Sequence, residues 1–130
     1  MNHYTRRQGI SVRIWSSGNR SSRNLIELST TPGPTVLYVK EFNTEGRPGF
    51  WGLTKNQVTR LEKAGVKWFT VLLLRSWTDG YVLSSAEVRD RIHDGSFELS
   101  GDGDFKVNED VDLKSHQRFH GLEDLLHRIL

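Results

Sequence analysis

Residues 35–60 read TVLYVKEFNTEGRPGFWGLTKNQVTR, and the order of elements in this stretch decides the fold. Val36, Leu37, Tyr38 and Val39 make an apolar, β-favouring run within a strand expected over residues 35–42. Lys40 follows directly, and a lysine is costly to bury without a partner, so it is expected at a sheet edge or over a cleft. A loop containing Gly46, Gly49 and Gly52 comes next, and then a helix opens. Thr54 and Gln57 have the spacing of a capping box, and Leu53 and Val58 that of a hydrophobic staple. Val58, Leu61 and Ala64 form the inner stripe of this helix, and Gly65 is placed to end it.

The continuous apolar run WFTVLLL at residues 68–74 follows at once and predicts a central strand buried on both faces. Strand, helix and buried strand in that order specify an α/β crossover, so the expected fold is α/β, a mixed central sheet flanked by helices. Upstream, Ile10, Val12 and Ile14 alternate with Ser11, Arg13 and Trp15, the pattern of a half-buried strand. Residues 16–19 (SSGN) stop it, Ser21 and Ser22 prolong the turn, and residues 24–28 (NLIEL) form a second short strand. Downstream, Asp79-Gly80 is a turn signal before the strand Tyr81, Val82, Leu83, giving a hairpin whose loop exceeds two residues. Ser84 and Glu87 make a second capping box, opening a helix with Val88 and Ile92 inward and Gly95 at its end. Residues 97–99 and 105–107 pair over a turn at 101–104, and Leu122, Leu125, Leu126 and Ile129 give one apolar face to a last helix.

A chain of 130 residues is one domain by length, able to bury an ordinary core without metals or disulfides. The absence of cysteine excludes a disulfide scaffold and every Cys-ligated zinc or iron–sulfur site. No apolar run is long enough to span a bilayer and the N-terminus lacks the apolar core of a signal peptide, so a cytoplasmic protein without membrane association is expected. The net charge of +2 hides an asymmetry. Arg6, Arg7, Arg13, Arg20 and Arg23 precede the first acidic residue, Glu27, whereas carboxylates outnumber Lys and Arg after residue 100. A basic face of this kind suits a polyanion, because phosphate contacts draw affinity from released counterions.

Short motifs offer less. Asp102-Gly103-Asp104 opens like a calcium loop, but Lys106 occupies the third ligand position, so a hairpin turn is the better reading. His116 and His120 are four apart, yet no glutamate follows His116 and both precede the last helix, which argues against a metal pair. Gly46, Gly49 and Gly52 match neither a P-loop nor a dinucleotide fingerprint. Trp51 abuts a helix start, the place of a hydrophobic anchor more than of a base-stacking platform.

The strand pair carrying Asn24-Leu25-Ile26 and Tyr38-Val39-Lys40, the Phe50-Trp51-Gly52-Leu53-Thr54 segment leading into a helix, and the buried strand after it resemble the PD-(D/E)XK nuclease superfamily. The resemblance is to its Holliday-junction-resolvase-like and related bacterial members, and it covers most of the chain, residues 1–130 as one domain with a restriction-endonuclease-like core. In that family an Asp on one strand and an acidic-x-Lys on the next form the site. The resemblance implies that the two carboxylates hold Mg²⁺, which positions and deprotonates the attacking water, while the lysine steadies the nucleophile or the charge on phosphate. Here Asn24 stands in place of the Asp and Tyr38 in place of the acidic residue; only Lys40 is kept. An amide brings no negative charge to a hard cation, and a phenol with a pKa near 10 stays protonated at neutral pH.

The motif positions Asn24, Tyr38 and Lys40 are thus expected to form a degenerate site. Glu27 and Glu41 are candidate replacement ligands, although strand alternation sets each opposite Asn24 and Lys40, and Glu45 or Glu62 is a further candidate. The expected function is nucleic-acid binding, to DNA, without efficient cleavage and with no cofactor, using Arg6, Arg7, Arg13, Arg20, Arg23, Lys40, Arg47 and Lys55 on phosphates. Lys55, near a helix N-terminus, would meet phosphate beside free backbone N–H groups. The rival expectations are a Mg²⁺-dependent endodeoxyribonuclease with relocated carboxylates, and a protein-interaction or assembly module, for which a homodimer is the simplest form.

Overall fold

A computed structural model describes residues 11–17, 20–30, 33–42 and 46–130, with side chains of residues 17 and 20–22 outside the description. Among the described residues nine strands and four α-helices follow in the order β1 (Val12–Ser17), β2 (Arg20–Leu28), β3 (Thr35–Phe42), β4 (Phe50–Thr54), α1 (Lys55–Ala64), β5 (Lys67–Ser76), β6 (Asp79–Ser84), α2 (Ser85–His93), β7 (Glu98–Leu99), β8 (Asp104–Asn108), α3 (Glu109–Asp112), β9 (Arg118–His120) and α4 (Leu122–Ile129). The main sheet has six strands in the order β1-β2-β3-β5-β6-β9, and a second sheet has three, β4-β8-β7. Only β3 and β5 pair in parallel, from Thr35↔Lys67 to Phe42↔Leu74; the other pairs in the main sheet are antiparallel. This is the mixed sheet expected from the crossover, and α1 makes the connection.

Two cores follow from the period-2 alternation of the central strands. Leu25, Val36, Tyr38, Trp68, Leu72 and Leu83 face α1, α2 and the small sheet, whose Val58, Leu61, Val88, Trp51 and Val107 complete that layer. Leu37, Val39, Val71, Leu73 and Val82 face the other way, onto Phe119, Leu125, Leu126 and Ile129. Each fully buried aliphatic side chain of α4 contributes roughly 1.5–3 kcal/mol relative to exposure. No helix among the described residues is long and apolar enough to cross a membrane.

The Ser84 capping box forms as its spacing predicts: Glu87 N donates to Ser84 Oγ at 3.2 Å and Ser84 N to Glu87 Oε1 at 2.9 Å. The Thr54 box does not form, and Thr54 makes no side-chain cap bond. Tertiary partners have taken its donors: Thr54 N donates to Tyr38 Oη at 2.9 Å, Lys55 N to Gly103 O at 3.0 Å, and Gln57 accepts from Arg60 instead. Gly65 ends α1 in the left-handed conformation, φ 69°.

Four local expectations are corrected. Residues 50–54 are a strand, β4, paired antiparallel with β8 from Phe50↔Asn108 to Thr54↔Asp104. Two glycines are required by that packing, since a Cβ at Gly49 would run into the Trp51 ring and one at Gly52 would meet Asp104 Oδ2 at 2.6 Å. In β1 the buried residue is Trp15, 5% exposed in the core beneath α1 with Arg60 over its ring, while Ile14, paired with Ile26 on the other face, is left outside at 55%. The second strand starts at Arg20, well before Asn24. Finally, Asp79 and Gly80 lie within β6; the turn is Trp77-Thr78, and the extra length sits in a bulge on β5 where Arg75 adopts φ 69°.

Candidate nucleic-acid interface

Lys40 occupies an interior strand, so of the two environments expected for it only the cleft is realised. It borders an open cleft of about 390 Å³ together with Arg23, Asn24, Ile26, Val39, Glu41 and Trp77. The cleft lies at the carboxyl end of the parallel pair β3 and β5, the end at which open α/β sheets place their ligands.

The β2–β3 register, Leu25↔Tyr38, puts Asn24 one step further along, beside Val39, whose carbonyl accepts from Asn24 Nδ2 at 2.9 Å. Facing residues of an antiparallel pair share a face, so Glu27, opposite Val36, belongs to the side of Tyr38 and Lys40. The β2–β3 pairing ends at Leu25↔Tyr38, and beyond it Asn24, Lys40 and Glu41 all border the cleft.

The side chains at the motif positions do not fit Mg²⁺. The Tyr38 phenol is 1% exposed and accepts from Thr54 N; burial pushes it above its ordinary pKa, so it stays protonated. Glu27 is 7% exposed, and its carboxylate is held by Arg13 at 2.7 Å. Glu62 is bound by Arg89 through two hydrogen bonds, of 2.7 and 2.9 Å, which hold it below the ordinary carboxylate range. Glu41 alone among these carboxylates lines the cleft, and among the described residues no three acidic or histidine side chains converge. A hard cation needs several oxygen ligands, and one carboxylate beside an amide does not supply them. Glu45 lies outside the described residues.

The cations divide into groups. Arg23 and Lys40 share the cleft, and neither has an ion-pair partner among the described residues. Arg47 is exposed in the loop before β4. Arg13 is exposed but bridged to Glu27. Lys55 lines a different groove, with Val58, Lys63, Arg89, Ile92 and Phe105. Arg6 and Arg7 fall outside the described residues, as does the side chain of Arg20.

A second charged cluster escaped the sequence. Arg118 Nε and NH2 approach Asp79 Oδ1 at 2.8 and 2.6 Å, and its guanidinium lies over the Tyr81 ring at 5.1 Å. Tyr81 Oη donates to Glu109 Oε2 at 2.7 Å, while Glu109 Oε1 accepts from Gly49 N at 2.6 Å. Burial works against the Arg118 charge, yet Asp79 and Tyr81 hold its pKa above the ordinary value. Trp51, 2% exposed, packs edge-on against Tyr81 and Phe42, with its indole N–H on Leu73 O at 3.3 Å. It is the anchor expected of it. Asp79, Tyr81, Arg118, Glu109 and Gly49 lie on β6, β9, α3 and the loop before β4, and no local spacing joins them.

The remaining motif readings resolve as turns. Asp102 accepts from Asp104 N at 3.0 Å, from Lys106 Nζ at 2.8 Å and from Ser100 Oγ, which closes the hairpin between β7 and β8. His116 faces Glu87 at 3.4 Å and His120 faces Asp79 at 3.9 Å, so the two imidazoles serve different partners.

No family model matches the chain, and no curated protein matches it. Among solved structures the chain is similar to Hjc of Archaeoglobus fulgidus, a Holliday junction resolvase from an archaeal hyperthermophile, with a TM-score of 0.49 and 14% identity over 94% of this chain and 91% of that one.

Proposed function

We propose that this domain binds DNA through the carboxyl end of β3 and does not cleave it efficiently. The observation that carries this reading is the pairing state of the cleft: among the described residues Arg23 and Lys40 line it without ion-pair partners, Glu41 is the one carboxylate there, and Glu27 and Glu62 are engaged by arginines elsewhere. Unpaired cations keep their full charge for phosphate, and each contact releases condensed counterions. Lys40 acts as a phosphate contact together with Arg23, and Arg6, Arg7, Arg13, Arg20 and Arg47 are further candidate phosphate contacts. Lys55 adds a contact only for a ligand long enough to reach the neighbouring groove.

The test is anisotropy of labelled duplex and branched DNA between about 50 and 200 mM salt. Affinity should fall steeply over this range, and Lys40→Ala and Arg23→Ala should each lower the salt slope by about 1. Absent or salt-independent binding, with elution as an oligomer, would replace this reading by an assembly module. Glu41 at the cleft keeps one competing reading specific. Nicking in Mg²⁺ or Mn²⁺ that is lost in both Glu41→Ala and Lys40→Ala would make the domain a nuclease.

A further inference from the structure

Phosphate binding leaves several features of the cleft unused. Its floor, Ile26 and Val39, is apolar, and one wall is Trp77 at the tip of the β5–β6 turn. Trp15, Trp51 and Trp68 are buried at 5%, 2% and 2% exposure, whereas Trp77 is half-buried. Trp51 and Trp68 donate their indole N–H groups to Leu73 O and Glu62; Trp77 makes no hydrogen bond among the described residues. Its turn is nonetheless pinned, with Thr78 N on Ser76 Oγ at 3.2 Å and Gly121 N on Thr78 O at 2.6 Å. The indole is therefore a fixed aromatic surface with an open face.

Glu41 is the second unused feature. It is exposed and lacks an ion-pair partner among the described residues, although Arg23 and Lys40 line the same cleft. A carboxylate repels phosphate, so a site for the backbone alone gains nothing from it. An unpaired nucleotide accounts for every part: its phosphate meets the cations, its π face meets an indole, and its N–H edge meets a carboxylate.

We propose that the cleft takes one unpaired nucleotide, with the base against Trp77 over Ile26 and Val39, its N–H edge toward Glu41, and its phosphate on Arg23 and Lys40. This rests on the DNA-binding reading and deepens it from polyanion to substrate class. A base within a duplex is stacked and its edge is paired, so single strands, gaps and branch points enter the cleft at lower cost than intact duplex.

The experiment compares a mixed-sequence single-stranded oligonucleotide with its own duplex, following anisotropy and tryptophan emission together. The intact protein should bind the single strand on the order of tenfold more tightly, with quenched emission. Trp77→Ala should remove that preference and the quench, bringing single-strand affinity down to that of the duplex. Trp77→Phe, which keeps a stacking ring and fills the same place against the core, should retain the preference and lose the quench. Equal affinity for both strand forms in the intact protein, or a quench that persists in Trp77→Phe, overturns the proposal. No salt-dependent binding to either form would instead overturn the DNA-binding reading on which it rests.

Discussion

Two charged clusters sit on either side of β5 and could hardly differ more in how their charges are settled. In the Asp79–Arg118–Tyr81–Glu109 cluster every charged group has a partner, and Glu109 reaches on to the Gly49 backbone. At the end of β3, Arg23, Lys40 and Glu41 line one cleft without forming ion pairs among the described residues. A settled cluster has spent its electrostatic free energy on the fold; an unsettled one keeps it for a ligand. The two therefore separate stability from binding, and substitutions should show that separation.

The largest effect is expected from Arg118→Ala. The side chain is 28% exposed, and its removal leaves Asp79 and Glu109 without their cation, which should cost about 2 kcal/mol, below the range for fully buried pairs. Urea unfolding measures it, with DNA affinity unchanged once the unfolded fraction is accounted for. Loss of affinity without loss of stability would erase the contrast between the clusters.

Next comes Tyr38→Phe, which deprives Thr54 N of its acceptor and should cost about 1 kcal/mol. The phenol also ties stability to pH. Its native pKa is raised by burial, so its contribution is complete below the ordinary tyrosine pKa near 10 and is lost as pH rises through the higher native value. Unfolding midpoints of the variant should therefore fall less steeply than those of the parent above about pH 10. Parallel curves would place the alkaline transition elsewhere.

Ser84→Ala removes a complete capping box and should cost about 1 kcal/mol, read in the same unfolding assay. Lys40→Ala and Arg23→Ala should change stability by less than about 0.5 kcal/mol while weakening DNA binding. A stability loss comparable to that of Arg118→Ala would mean that Lys40 also belongs to the fold.

The same reasoning explains which parts were legible in the chain. The crossover of β3, α1 and β5 shows in contiguous periodicity, and the Ser84 box shows because both halves of it lie within four residues. The Thr54 box has the same spacing but fails, because Tyr38 and Gly103, distant in sequence, supply better partners for its donors. Trp15 is buried and Ile14 exposed because α1 covers one face of β1, a tertiary fact that alternation cannot announce. For the cleft, Lys40 and Asn24 were visible as positions, but their meeting at one cleft depends on the β2–β3 pairing, and Trp77 reaches them only through the turn after β5. Arg118 and Glu109 meet at 3.6 Å through tertiary packing alone.

The pairing of β4 with β8 has a kinetic side. Phe50 pairs with Asn108 across a long stretch of chain, and closing so long a loop costs more entropy than closing a local hairpin. An interaction that forms after the rate-limiting barrier does little for the speed of folding and much for the slowness of unfolding. Formed after that barrier, the Gly49–Glu109 clasp would be a latch on lifetime, governing how long the native state persists more than how fast it is reached.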